Sequence, residues 1–156
     1  IELRVDGGVL SDEVRMGGRL QMDVIVEGLT EFPDANVSVV IGSARTEKLF
    51  RFSARMKPLL AAHARCAQER IVIDIPFIPM VPGEYSVKVM VHDPGRREVI
   101  DEVHRAAEFR VIPADVLGNG YGFSGWDGDL YVPWDWEILP AAPQTPASTS
   151  ARSAGD

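Results

Sequence analysis

Apolar residues recur at every second position along most of this 156-residue chain, and that spacing rules out more folds than any other feature. Leu20, Met22, Val24 and Val26 alternate with Arg19, Gln21, Asp23 and Glu27. Val37, Val39 and Ile41 repeat the pattern, and Leu49 to Phe52 reads as a short partner strand. Ile71, Ile73, Ile75 and Phe77 are the cleanest run, followed by Tyr85, Val87, Val89 and Val91, then Phe109 and Val111. Residues 129–137 read as the last strand. Strict alternation means one buried face and one wet face on each strand, the mark of antiparallel sheets packed face to face. The intervening segments are too short for the crossover helices that parallel strands need. The expected fold is therefore all-β: an antiparallel Ig-like or jelly-roll-like sandwich of about eight strands.

Punctuation agrees with that reading. Gly17-Gly18, Pro33-Asp34, Pro82-Gly83 and Asp93-Pro94-Gly95 are turn signals set between the strands. Pro79 and Pro82 have no N–H to give a ladder, so their connection bends or lies at an edge. One short helix is expected over residues 55–67, with Pro58 tolerated near its start. From Pro140 the chain is rich in Pro, Ala, Ser and Thr and has too little apolar surface to offset the entropy of ordering. We expect one domain over 1–138 and a disordered tail over 139–156. The strand-like run already under way at Ile1 leads us to expect a domain cut from a longer protein.

Composition removes several function classes. A net charge of −7 opposes nucleic acid and anionic membrane surfaces, both of which attract basic patches. No apolar run reaches the ~18 residues of a transmembrane helix. Cys66 is the only cysteine, so no intrachain disulfide forms and the reading leans to a reducing, cytoplasmic compartment. His63 lies three residues before it, but two ligands do not make a zinc site. There is no GxxxxGK[ST] loop and no GxGxxG after a strand, which argues against nucleotide binding. Gly122-Phe123-Ser124-Gly125 has its second glycine one residue too early for a nucleophile elbow. His63, His92 and His104 are scattered, and neither Asp127 nor Asp129 has an evident cause for the raised pKa of a glycosidase acid. Asp127-Gly128-Asp129 lacks the twelve-residue spacing of a calcium loop. No catalytic residue, metal or cofactor is expected.

What remains is an aromatic cluster. Six of the chain's six Phe, three Tyr and three Trp fall within sixteen positions: Tyr121, Phe123, Trp126, Tyr131, Trp134 and Trp136, amid five glycines. Flat rings beside short polar acceptors suit sugars, whose C–H faces lie on rings while their hydroxyls need directional partners. Trp134 and Trp136 share a strand face with Leu130 and Val132, which suits a core or a dimer seam. Tyr131 falls on the opposite face with Asp129 and Asp135. Trp126 sits in a Gly-flanked loop where no periodicity demands burial. The candidate carbohydrate contacts here are Tyr121, Trp126, Asp127, Asp129 and Tyr131. A second candidate surface is the wet sheet face with Gln21 and Asp23 on one strand and Lys88 and His92 on another. Covering ~100 Å² of ring at ~25 cal/mol/Å² gives about 2.5 kcal/mol before ordering costs. Several rings would thus reach about the −4 kcal/mol of millimolar binding.

One ordered set of segments resembles a known family. Gly18-Arg19-Leu20 leads a strand, Val37–Ile41 follows, and Phe77-Ile78-Pro79 runs into Pro82-Gly83-Glu84-Tyr85-Ser86-Val87. An acidic and alanine-containing stretch then reaches Ala107-Glu108-Phe109-Arg110-Val111, and a Gly-led strand ends in tryptophan. Over residues 1–138 this is similar to the C-terminal domain of Wzt-type ATPase subunits of ABC transporters that export O-antigen and related polysaccharides. The resemblance implies a β-sandwich that binds the exported glycan, behind a cytoplasmic nucleotide-binding domain and in contact with the transporter's membrane subunit. It implies a homodimer whose final strand can be exchanged between protomers, residues 118–128 then serving as the hinge. The rival expectation is an Ig-like protein-interaction or dimerisation domain without glycan binding.

Overall fold

The computed structural model describes residues 1–6, 8–53 and 67–133. Nine strands follow in order: β1 (Glu2–Val5), β2 (Val9–Leu10), β3 (Glu13–Arg15), β4 (Leu20–Glu27), β5 (Asn36–Ser43), β6 (Phe50–Ser53), β7 (Gln68–Ile75), β8 (Gly83–Asp93) and β9 (Glu98–Ile112). They form a four-stranded sheet of order β2-β1-β4-β7 and a five-stranded sheet of order β3-β9-β8-β5-β6. Every pairing is antiparallel except β3 with β9, where Glu13–Arg15 run parallel to Arg110–Ile112. That pair departs from the all-antiparallel expectation. It spans three residues at a sheet edge, and its partners are far apart in sequence, so no tight crossover is required.

The period-two runs supply the core. Leu20, Met22 and Val24 of one sheet meet Val37, Val39, Ile41, Tyr85, Val87, Phe109 and Val111 of the other. All are buried, and burial at ~25 cal/mol/Å² of apolar surface is the main term favouring the fold. The Tyr85 and Phe109 rings stack at 5.6 Å, and the Tyr85 hydroxyl donates to the Val81 carbonyl at 2.7 Å. Burial raises the Tyr85 phenol above its ordinary pKa.

Two expectations shift. The strand foreseen at 129–137 is, in its described part, a single antiparallel bridge between Leu130 and Met80. Val81 donates to the Asp129 carbonyl and Tyr131 to the Pro79 carbonyl at 2.6 Å on either side of it. Ladder growth stops there because the Pro79 ring has no N–H to return. Residues 134–137, the helix expected over 55–67 apart from Ala67, and the tail expected over 139–156 lie outside the described residues. Among the described residues only two short 3-10 turns occur, at Leu29–Glu31 and Gly125–Asp127.

Candidate functional site

Beyond β9 the chain folds into a hook, residues 115–131, built from its own short polar side chains. The Asp115 carboxylate accepts from the Asn119 and Gly120 amides at 3.1 and 2.9 Å. The Asn119 side-chain oxygen accepts from the Tyr121 amide at 2.9 Å. Ser124 caps the 3-10 turn: its hydroxyl accepts from the Trp126 amide, while Asp127 reaches back to the Ser124 amide at 2.8 Å. The other Asp127 oxygen receives the Tyr121 hydroxyl at 2.5 Å. The hook is thus closed on itself before anything else touches it.

Those bonds set the local titration. The Tyr121 hydroxyl, then the Ser124 amide, hold the Asp127 carboxyl below the usual carboxylate range. The same contact raises the Tyr121 phenol, since ionising it would place two negative charges side by side.

An aromatic chain roots the hook in the sandwich. Tyr121 meets Phe123 edge-on at 5.1 Å, Phe123 meets Tyr131 at 5.0 Å, and Tyr131 meets Phe77 at 6.3 Å. Phe123 and Tyr131 pack against the core. Trp126, by contrast, is 98% exposed on the capped turn.

A second root comes from the loop between β5 and β6. Arg45 donates to the Gly125 carbonyl at 3.0 Å and to Asp129 at 2.5 Å, and the Thr46 hydroxyl donates to the other Asp129 oxygen at 2.8 Å. This loop folds back over β5 because Gly42 lacks a side chain. A Cβ there would lie well inside van der Waals contact with the Glu47 carbonyl.

The five hook residues named from sequence are therefore brought together, in differing roles. Trp126 presents its ring and Tyr121 is 48% exposed. Asp127 and Asp129 are tied to hook and loop partners and retain further acceptor lone pairs. Tyr131 corrects an expectation: foreseen on an exposed polar face, it is half-buried, because the rings of Phe77 and Phe123 claim it. Leu130 and Val132 also depart from a place in this chain's core, since Val132 is 67% exposed. Trp134 and Trp136 lie outside the described residues.

The second surface does not assemble. Gln21 and Asp23 stand on the outer face of the four-stranded sheet, whereas Lys88 and His92 stand on the outer face of the five-stranded one. Asp23 is only 3% exposed, held by Arg70 at 2.9 Å and Arg4 at 3.2 Å. These contacts, Arg70 foremost, keep its carboxyl below the usual range. Gln21 donates weakly to it at 3.4 Å. Lys88 pairs with Glu102 at 2.7 Å, and His92 Nε2 lies 3.2 Å from the Asn36 amide. Alternation on one strand gives a side but not which sheet the strand joins, so the four were grouped wrongly as one face.

Arg45 and Thr46 are what sequence reasoning missed. Each lies more than eighty residues from its partner in the hook, beyond the reach of any local pattern.

Comparison with known proteins gives a consistent picture. The profile of the family described as the Wzt C-terminal domain matches residues 1–125. A crystal structure described as the C-terminal domain of wzt is similar with a TM-score of 0.62 at 11% identity, over 88% of this chain and 80% of that one. The alkylpurine DNA glycosylase AlkC of Pseudomonas fluorescens, bound to abasic-site DNA, gives 0.38 at 20% identity over 70% of this chain and 29% of its own. That likeness is too remote to support an argument. A search of the curated proteins finds no match.

Proposed function

The chain belongs to the Wzt C-terminal domain family, and from that premise we propose that it is a non-catalytic carbohydrate-binding module serving the ATPase subunit of a polysaccharide ABC exporter. In this reading it works on the cytoplasmic side of the membrane, beside the transporter's membrane subunit. No helix among the described residues is long and apolar enough to cross a membrane.

One observation supports glycan binding above the rest: Trp126, its indole 98% exposed on a turn fixed by a capping box. Leaving that ring in water is unfavourable, and fixing the turn's backbone lowers part of the entropy cost of meeting a ligand. A sugar's C–H face would lie on the indole. Its hydroxyls would reach the spare lone pairs of Asp127 and Asp129, with Tyr121 at the flank.

The experiment is a tryptophan-fluorescence titration with the source organism's surface polysaccharide, beside an unrelated glycan. Trp126→Ala is expected to lower affinity about tenfold or more, from ~2.5 kcal/mol of ring contact. Unchanged binding by that variant would end the ring-platform reading.

A second reading is favoured by one further observation. The edge of β9 from Glu98 to Phe109 has no strand partner among the described residues beyond β8 on its other side, and Val99 and Val103 are about half exposed there. We infer that a second copy of the chain covers this edge, with exchange of the final strand as the means. The two readings are compatible: one assigns the ligand, the other the assembly.

A further inference from the structure

A cavity of about 390 Å³ opens beside the hook on the outer face of the five-stranded sheet, lined by Ser43, Ala44, Glu84, Ser86, Arg105 and Glu108. Its size falls in the range of small-molecule sites, ~300–1,000 Å³. Ser86 and Glu108 are direct partners across β8 and β9, with Gly42 next in the row on β5 and covered by the β5–β6 loop. One rim residue, Ala44, directly precedes Arg45, whose guanidinium grips Gly125 and Asp129 of the hook. The Arg45 side chain thus links the cavity rim to the turn that bears the exposed indole.

The lining is rich in hydroxyl and carboxylate groups and short of free cations. Ser43 Oγ accepts from the Arg45 and Thr46 amides, which leaves its proton to donate outward. No described residue hydrogen-bonds the Ser86 hydroxyl. Glu84 is paired with Arg110 and Glu108 with Arg105, yet a carboxylate has acceptor sites beyond one guanidinium. Arg105 is the lone guanidinium in the lining, and Glu108 already engages it. It is also held at a φ of 54°, beside a register shift opposite Lys88 that bends β9 around the opening. A ligand here meets two carboxylates and two hydroxyls, with Asp129 of the hook held by Arg45, the residue after Ala44.

We propose that this cavity seats one sugar unit of the glycan stacked on Trp126, and that it takes an uncharged unit rather than one bearing phosphate or carboxylate. The proposal rests on the carbohydrate-binding reading and adds to it a second contact point and a ligand class. Sugar hydroxyls donate to the carboxylates and accept from the serines. An anionic group would face like charges across a cavity whose guanidinium is already neutralised.

The test is a glycan microarray of matched triplets: a neutral oligosaccharide, the same chain with a terminal phosphate monoester, and the same chain with a terminal uronate. The labelled wild-type protein is expected to favour the neutral member of each bound triplet by about tenfold. Ser86→Leu, which fills the cavity, should lower that signal about tenfold with Trp126 intact. Glu108→Lys should shift preference toward the phosphate by a similar factor, a gain that misfolding cannot mimic. Equal or stronger binding of the anionic members by wild type overturns the proposal. So does a folded Ser86→Leu that binds as wild type. If Trp126→Ala loses binding while Ser86→Leu keeps it, the cavity assignment falls and the carbohydrate reading stands. If wild type binds neither the array nor the source polysaccharide, both fall.

Discussion

Trp126 is exposed on the capped hook, so replacing it tests binding with little effect on the fold. Trp126→Ala should leave thermal unfolding nearly unchanged, within about 0.5 kcal/mol, because surface changes away from buried features do little. Its neighbours Tyr121 and Asp127 carry a pH signature instead. Asp127 is held low, so its share of the brace is present above the ordinary carboxylate range near pH 4 and is lost as pH falls through the depressed value. Tyr121 is held high, so its share is present below the ordinary phenol range near pH 10 and is lost as pH rises through the raised value. The brace therefore spans the whole neutral window. An ultraviolet phenolate titration should find both Tyr85 and Tyr121 ionising late, the first from burial and the second from Asp127. Asp127→Asn should return Tyr121 toward its ordinary range and leave Tyr85 late.

At the scale of elements, the β5–β6 loop decides where the hook sits. Gly42→Ala would push the Glu47 carbonyl away and draw Arg45 and Thr46 off Asp129. The expected cost is about 1–3 kcal/mol, as for overpacking, measured by chemical denaturation. Glycan affinity should fall with it although Trp126 is untouched. Much of the fold was legible from period two: β4, β5, β6, β7, β8 and the end of β9 lie where the alternation put them. The strands β1, β2 and β3 span four, two and three residues, too few to establish a period. The first half of β9 was unreadable for another reason. Its register shifts against β8 at Val87/Val89 and Val91/His92, so Val99, Asp101 and Val103 do not keep one rhythm. In the candidate site, the glycines around Trp126 left its burial open, and the structure places it 98% exposed. Tyr131 and Asp23 were misjudged because their burial comes from partners on other elements, Phe77 and Phe123 for one and Arg4 and Arg70 for the other.

For the whole molecule, the bare flank of β9 is the feature that a second copy would cover. An open edge with half-exposed valines invites pairing, and soluble proteins shield such edges. Sedimentation at micromolar concentration is expected to give twice the chain mass. Val103→Lys, a charge on that edge, should give the single-chain mass with circular dichroism unchanged. A wild-type monomer would remove the inferred second copy. The hook carries a different consequence. Its shape is written in its own caps and turns, and Arg45, Thr46, the Phe77 ring, the Pro79–Val81 backbone and the packing of Phe123 and Tyr131 on the core fasten its base to the sandwich. Residues at its tip are therefore free to vary without disturbing the core. On the glycan-binding reading, a lineage whose surface sugars change could follow them by altering a few tip positions, keeping the handle while exchanging the tool.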